Sequence, residues 1–429
     1  MLDIELFRDD LNRIIESEKK RFKDPSNSEK VLEFDEKWRA ALKKVETLNR
    51  KRKEISLEIG KQAKSGETDK IQDLKEQARE IKEQIELLKK ERDEFLLQRE
   101  KYRYKVGNIL HHSVPIGETE ESNEIVKTVG KIPNFNFKPA SHVELIEFTD
   151  GADTDKASQI SGSRFFFLKG DIVLLNLALL RFALEKLIEK DFLPIWTPFF
   201  LKYDIIEAAA ELADFEEQLY KIQDEDLYMI ATSEQSLAAY HYDEIIEPSR
   251  LPLKYAGISS CFRREVGSHG KDTLGIFRVH QFEKVEQFIF CKPEESWQRH
   301  EELLSNTESI FEDLNIPYRI VNIASGELND NAAKKYDLEG WFPASETYRE
   351  LVSCSNCTDY QARKLKIRMG TIGSQEEKET VHTLNSTAIA VERTICCILE
   401  NNQNKDHSIN IPKVLQKYMN GKKIIKAIK

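Results

Sequence analysis

The sequence predicts an α+β protein, an antiparallel-sheet domain preceded by a long antiparallel α-helical coiled-coil arm. Two stretches carry that reading. Residues 29–105 repeat apolar side chains at alternating steps of four and three, the period of a left-handed coiled coil. The run Cys261–Glu286 places Arg263, Glu265, Arg278, Phe282 and Glu286 on what reads as a β-hairpin. Cations, carboxylates and one aromatic at these spacings suit a nucleotide and a small zwitterion. Together they point to an ATP-using enzyme that reaches outward to hold a long partner.

The arm comes first in the chain. In its first half Phe34, Trp38, Ala41, Val45, Leu48, Ile55 and Ile59 keep the repeat, with Arg52 in the skipped seat. In its second half Ile71, Leu74, Ala78, Ile81, Ile85, Leu88, Phe95 and Tyr102 keep it, with Arg92 and Arg99 in the polar seats. No proline interrupts residues 31–109. Gly66, in Lys64–Asp69, marks the turn, with Thr68 or Asp69 capping the second helix. Two helices of about 35 residues, rising ~1.5 Å per residue, make a hairpin roughly 50 Å long.

The Pro- and Gly-bearing residues 112–139 read as a linker, so the expected domains are 1–111, linker 112–139 and 140–429. The last of these carries a long apolar helix at Ile172–Glu189 and a strand at Leu193–Trp196, followed by Pro198. Short β-like runs come next, at Leu227–Ile230, Tyr255–Arg263, Ile276–Phe282 and Glu286–Phe290, and the chain finishes in a short basic tail, Gly421–Lys429.

Composition sets the bounds. With 429 residues, 40% of them apolar, the chain can bury a sizeable core in two or three domains. No apolar run approaches the ~20 residues of a membrane span. The acidic start MLDIELFRDD lacks the layout of a signal peptide, and six unevenly spaced cysteines fit reduced thiols, so a cytoplasmic protein without a membrane partner is expected. The net charge of −10 hides an asymmetry: residues 29–105 hold 22 Lys/Arg and 18 Asp/Glu. A solvated coiled-coil face accounts for most such runs. A basic, extended arm on an acidic body is also the shape that tracks a phosphate backbone by counterion release.

Two apparent motifs fail on spacing. Gly270-Lys271-Asp272-Thr273 lacks the G-x-x-x-x-G-K-[ST] pattern and a following helix, so Gly267, Gly270 and Gly275 instead let a hairpin loop flex over a ligand. Cys354-Ser-Asn-Cys357 has no second ligand pair, and no zinc is expected.

The order of these elements resembles a class II aminoacyl-tRNA synthetase, and the details resemble the seryl-tRNA synthetases of the eukaryotic cytosolic type. The class motifs are the helix and strand ending at Pro198, the hairpin Cys261–Glu286, and His382–Asn401 with its Arg393, read as one helix. Between them stand two stretches that look serine-specific, Ala231-Thr232-Ser233-Glu234 and Glu346–Arg368. The resemblance covers nearly the whole chain.

It implies a serine–tRNA ligase with ATP as substrate and Mg²⁺ as cofactor, acting as a homodimer on L-serine and tRNA(Ser). Arg263 and Arg393 are the implied catalytic cations, Arg263 gripping the α-phosphate and the amino-acid carboxylate. Thr232, Ser233, Glu234, Arg263, Glu286, Asn385 and Thr387 are implied for serine. Arg263, Arg264, Glu265, Arg278, Val279, Phe282, Glu350, Leu351, Val352, Ser353 and Arg393 are implied for ATP, with Glu265 on the adenine amino group, Phe282 stacking on the ring and Arg393 opposite it or near the γ-phosphate. Glu350 and Ser353 are implied for Mg²⁺, which favours hard oxygen donors. The arm is expected to grip the long variable arm of the tRNA by shape and backbone.

Two alternatives remain beside this reading. A sibling synthetase, or a ligase charging a carrier protein, is opposed by the arm and the serine-specific strings. An inactive paralogue serving as an RNA-binding or coiled-coil scaffold is opposed by intact Arg263, Glu265, Glu286, Glu350 and Arg393.

Overall fold

The computed structural model describes residues 1–65, 68–209, 218–266, 274–371, 373–374 and 376–428. They form two compact units: residues 2–19 with 23–107, and residues 108–429 with Met1 and 20–22.

In the N-terminal unit, helix α1 (Ser26–Ser65) and helix α2 (Thr68–Arg103) run antiparallel. They have 40 and 36 residues, so the longer spans about 60 Å, more than the sequence spacing predicts. The seam is the one the heptads specify. Val45, Ile55, Ile81 and Ile85 are buried at its centre, with Leu48, Ile59, Leu74, Ala78 and Leu88 packed around them. Near the open end Phe34 stacks on Tyr102, ring centroids 5.6 Å apart.

The polar seats are unlike one another. Arg52 is exposed, while Arg99 is buried against Trp38 and donates to Asp35. The Asp35 carboxylate is fully buried and meets Arg8 and Arg99 at 2.8 Å and Arg39 at 2.9 Å. Burial alone would raise its pKa; the hydrogen bonds from Arg8 and Arg99 hold it below the ordinary carboxylate value. Gly66 and the side chains of Thr68 and Asp69 lie outside the described residues.

The C-terminal unit is built on one eight-stranded sheet. Its strands are β1 (Glu124–Val129), β2 (Leu193–Trp196), β3 (Leu253–Phe262), β4 (Gln281–Cys291), β5 (Tyr318–Asn322), β6 (Lys334–Phe342), β7 (Thr347–Asn356) and β8 (His382–Ala390). Their spatial order is β1-β5-β6-β7-β8-β4-β3-β2, antiparallel throughout except for the parallel pair β2–β3. Helices α3 (Gly170–Ile188), α5 (Ser296–Asp313) and α6 (Val391–Asn401) pack on this sheet, and α4 (Ser233–Ala238) sits against β3 and β4.

Strand β4 shows how the sheet separates core from site. Its odd residues Val285, Ile289 and Cys291 join the large core that includes Leu175, Leu179 and Ile395. Its even residues Phe288 and Phe290 enter a second cluster with Leu237 and Tyr255, and Phe282, Lys284 and Glu286 line a cavity.

Three expectations need correction. Ile276–Phe282 and Glu286–Phe290 are not two strands: β4 is continuous and begins only at Gln281, after a turn in which Gly275 has φ +69°. His382–Asn401 is not one helix but strand β8 followed by α6. Almost every residue of β8 is buried, so the alternation that marks a half-exposed strand is missing. The segment 112–139, read as a linker, supplies the edge strand β1, paired with β5. Gly267, Gly270 and the sequence Lys271-Asp272-Thr273 lie outside the described residues.

Candidate active site

A cavity of about 430 Å³ opens on the site face of the sheet. Its walls come from β4, β7 and β8, the start of α6, and the N-terminal end of α4. Helix α4 lies close to the sheet at Gly257, where a Cβ would fall 2.6 Å from Leu237 Cδ1. Ser236 Oγ donates to the Pro198 carbonyl at 3.0 Å, tying α4 to the segment after β2. Thr232 caps α4, accepting from the Glu234 amide.

One half of the cavity is a carboxylate pocket. Glu286 pairs in register with Thr387 across β4 and β8, and Thr387 Oγ1 donates to Glu286 Oε2 at 3.3 Å. The register shifts between Thr387 and Ile389, and such bulges re-aim side chains. Lys284 forms an ion pair with Glu286 and donates to Thr232 Oγ1. Burial pushes the Glu286 carboxyl up, against the pull of Lys284, Thr387 and Arg263. Glu234 Oε1 accepts from Gln361 Nε2 at 2.7 Å and Asn385 Nδ2 at 3.0 Å.

The other half is rich in cations and oxygen donors. Arg263 lies 5.4 Å from the Phe282 ring centre and donates from Nε to the Ala231 carbonyl at 3.2 Å. Arg278 Nε stands 3.6 Å from Glu265 Oε2, and Glu265 holds φ +51°, a conformation uncommon for its residue type. Arg393 stands over Phe277 at 5.3 Å, not over Phe282, and reaches Glu350 at 3.4 Å.

Glu350 and Ser353 are three residues apart, which on a regular strand puts them on opposite faces. The register shift between Leu338 and Glu339 leaves Leu351 as an extra residue, and Glu350 and Ser353 then meet, Oγ to Oε1 3.1 Å. Ser353 Oγ also lies 2.7 Å from Asp337 Oδ1. Glu350 is held at about 2: burial opposes its ionisation, but Arg393, Lys335 and Arg263 outweigh it. Asp337 is pushed up to about 7, by burial first and by nearby Glu350.

With this geometry in place, the comparisons with known proteins are direct. Residues 1–110 match the model of the seryl-tRNA synthetase N-terminal domain, and residues 218–402 match the class II tRNA synthetase core domain (G, H, P, S and T). The chain is 56% identical, over 427 residues and the full length of both chains, to the serine–tRNA ligase of Methanosphaera stadtmanae. It is 46% identical to the cytoplasmic serine–tRNA ligase of Arabidopsis thaliana, covering 98% of this chain and 95% of that protein.

The chain belongs to the seryl-tRNA synthetase family.

Among solved structures, the seryl-tRNA synthetase of Pyrococcus horikoshii complexed with ATP superposes with a TM-score of 0.94 at 44% identity, covering all of both chains. Against this family background, most residues implied by the resemblance converge. Arg263, Arg393, Thr232, Glu234, Glu286, Asn385, Thr387, Glu265, Arg278, Val279, Phe282, Glu350, Leu351 and Ser353 all line the one cavity. Ser233, Arg264 and Val352 do not: Ser233 is buried in the first turn of α4, Val352 lies in the core, and the Arg264 amide bonds the Gln218 carbonyl. Cys354 and Cys357 are buried and form no disulfide, and Cys357 Sγ accepts from Asn385 Nδ2 at 3.5 Å.

Sequence reasoning missed Lys284, Lys335, Asn329, Asn331, Phe277 and Glu392 in the lining. For Lys284 a signal existed, since a period of two from Phe282 to Glu286 passes through it. The loop residues Asn329 and Asn331 carry no local signal, because only the fold brings their loop to the cavity.

Proposed function

We propose that this protein activates L-serine with ATP and transfers it to the 3′ end of tRNA(Ser). A serine carboxylate oxygen attacks the α-phosphorus, the bond to the β-phosphate breaks, and pyrophosphate leaves. A tRNA hydroxyl then attacks the carbonyl carbon of the seryl-adenylate and AMP leaves. One observation carries the reading: a single cavity joins a guanidinium-rich half to a buried carboxylate pocket.

In this reading Phe282 stacks on the adenine, Glu265 accepts from its amino group, Arg263 grips the α-phosphate and the serine carboxylate, and Arg278 lies near the distal phosphates. Arg263 and Arg393 neutralise charge that builds on the phosphates as the α-phosphorus is attacked. Thr232, Glu234 and Glu286 receive the ammonium and hydroxyl of serine, and Asn385 and Thr387 close the pocket. A hydroxyl-binding pocket rejects alanine because its polar groups would be left unpaired.

Magnesium fits one corner of this cavity. The ionised Glu350 carboxylate and the Ser353 hydroxyl are adjacent hard oxygen donors, and they would hold the ion. The ion would supply charge neutralisation on the triphosphate.

The arm of residues 29–105 is assigned to tRNA, with residues 1–111 as the binding domain and 140–429 as the catalytic domain. Its exposed Arg50, Lys51, Arg52 and Lys53 support that assignment. A homodimer is assigned to the face of α3 and β2, where Leu177, Leu193 and Trp196 are 57%, 57% and 74% exposed. Apolar side chains this open on adjoining elements favour a covering partner. No helix among the described residues is long and apolar enough to cross a membrane, and the Arabidopsis relative is named cytoplasmic; both support a cytoplasmic site of action.

The test is charging of unfractionated tRNA. The protein should attach labelled serine, and none of threonine, alanine or glycine, to the tRNA(Ser) fraction. Failure to charge any tRNA with serine would overturn the assignment.

A further inference from the structure

We propose that Lys284 is a positioning residue of the amino-acid half of the cavity, its ammonium tying the Thr232 hydroxyl on α4 to the Glu286 carboxylate on β4. The inference rests on the assignment of Thr232 and Glu286 to serine.

The geometry is specific. Lys284 and Glu286 are i and i+2 on one strand, so both project to the same face, and their side chains are 7% and 2% exposed. The Lys284 ammonium pairs with Glu286 Oε2 and also donates to Thr232 Oγ1. Those two acceptors belong to different elements, the head of a short helix and the middle of the sheet. One cation therefore fixes the distance between two groups that must meet the same small ligand. A buried carboxylate without a cation is costly and takes up a proton. Lys284 keeps Glu286 an acceptor. The other charged or titratable groups acting on this pair are Arg263, which also pulls on Glu286, and the buried thiols of Cys261 and Cys354.

Lys284 stands between Phe282 and Glu286 on the strand, so a direct contact with the adenylate is the rival role. The two roles separate kinetically. A residue touching the phosphate changes the use of ATP; a residue acting through Glu286 changes the use of serine, and once Glu286 is altered its effect shrinks to what its bond to Thr232 contributes.

The experiment is a double-mutant cycle on the full chain, read by ATP–pyrophosphate exchange with serine and ATP varied separately. Lys284→Met should raise KM for serine by about tenfold or more and leave KM for ATP within about twofold. The double variant Lys284→Met/Glu286→Gln should be at most a few-fold worse in serine use than Glu286→Gln alone, far short of the product of the two single effects. The double variant leaves neither partner as an unpaired buried charge, so that comparison stands even if Lys284→Met alone does not fold. Effects that multiply, or a rise in KM for ATP matching that for serine, would overturn the positioning role. Loss of serine-dependent exchange in the unmodified protein would instead strike the assignment of the site.

Discussion

At the residue scale, Glu286 carries the heaviest chemical assignment. It lies four residues past Phe282 on one strand, so both share a face, and both line the cavity. Glu286→Ala should therefore weaken serine use and spare ATP. Loss of one charged hydrogen bond costs about 1.5–3 kcal/mol, which lowers kcat/KM for serine by roughly one to two orders of magnitude. Glu265→Ala should impair ATP instead. Pre-steady-state activation with each substrate varied in turn checks both; a rise in the ATP constant alone for Glu286→Ala would show the two halves of the pocket to be reversed.

Glu392 makes a different prediction. It is 1% exposed, one oxygen accepts the Glu283 amide at 3.0 Å, and burial, together with Glu283, holds its carboxyl well above the ordinary 4.5. The folded state thus keeps a proton that the unfolded chain releases. Its contribution to stability is full below about pH 4.5 and is lost as pH rises toward the folded pKa. Glu392→Gln should flatten the fall in Tm as pH rises above about 4.5, a trend calorimetry can follow. Parallel curves for the two proteins would contradict a protonated Glu392. The shared face of Phe282 and Glu286 was legible from period two, and Lys284 between them went unread although the same period passes through it. The meeting of Glu350 and Ser353 was not legible. It depends on the extra residue Leu351, and nothing in the local sequence announces a bulge.

At the element scale, the helical hairpin was the most legible part of the chain. A strict 3.5 period leaves one seam, and the buried Val45, Ile55, Ile81 and Ile85 occupy it. Asp35 was invisible because an acidic residue in a charged helix reads as surface, yet three arginines make its burial tolerable. Strand β8 was misread for the opposite reason, since complete burial erases periodicity. The stacking of Phe34 on Tyr102 shows that the two ends of the hairpin lie together, so residues 30–104 can be excised with a short closure. Adenylate formation should survive the deletion while charging of tRNA collapses. Charging of tRNA at near-normal kcat/KM by the shortened protein would show that the arm has no such role.

At the scale of the whole molecule, a net charge of −10 coexists with a hairpin of 22 Lys/Arg against 18 Asp/Glu, the charge balance on which the proposed tRNA role of the arm rests. The same scale sets the expected assembly. Trp196, 74% exposed on β2 beside Leu193, should be covered by a second copy of the chain. Light scattering should give about twice the chain mass at micromolar concentration, and Trp196→Asp should shift it toward the monomer. A 49.9 kDa particle from the unmodified protein would rule the dimer out.

If one cavity joins ATP to serine, ATP–pyrophosphate exchange reads that step without tRNA. Exchange should depend on serine, fall by orders of magnitude with alanine or glycine, which leave the hydroxyl acceptors unpaired, and fall with threonine, whose methyl group must fit the same pocket. Equal exchange with alanine and serine, or none with serine, would contradict the account.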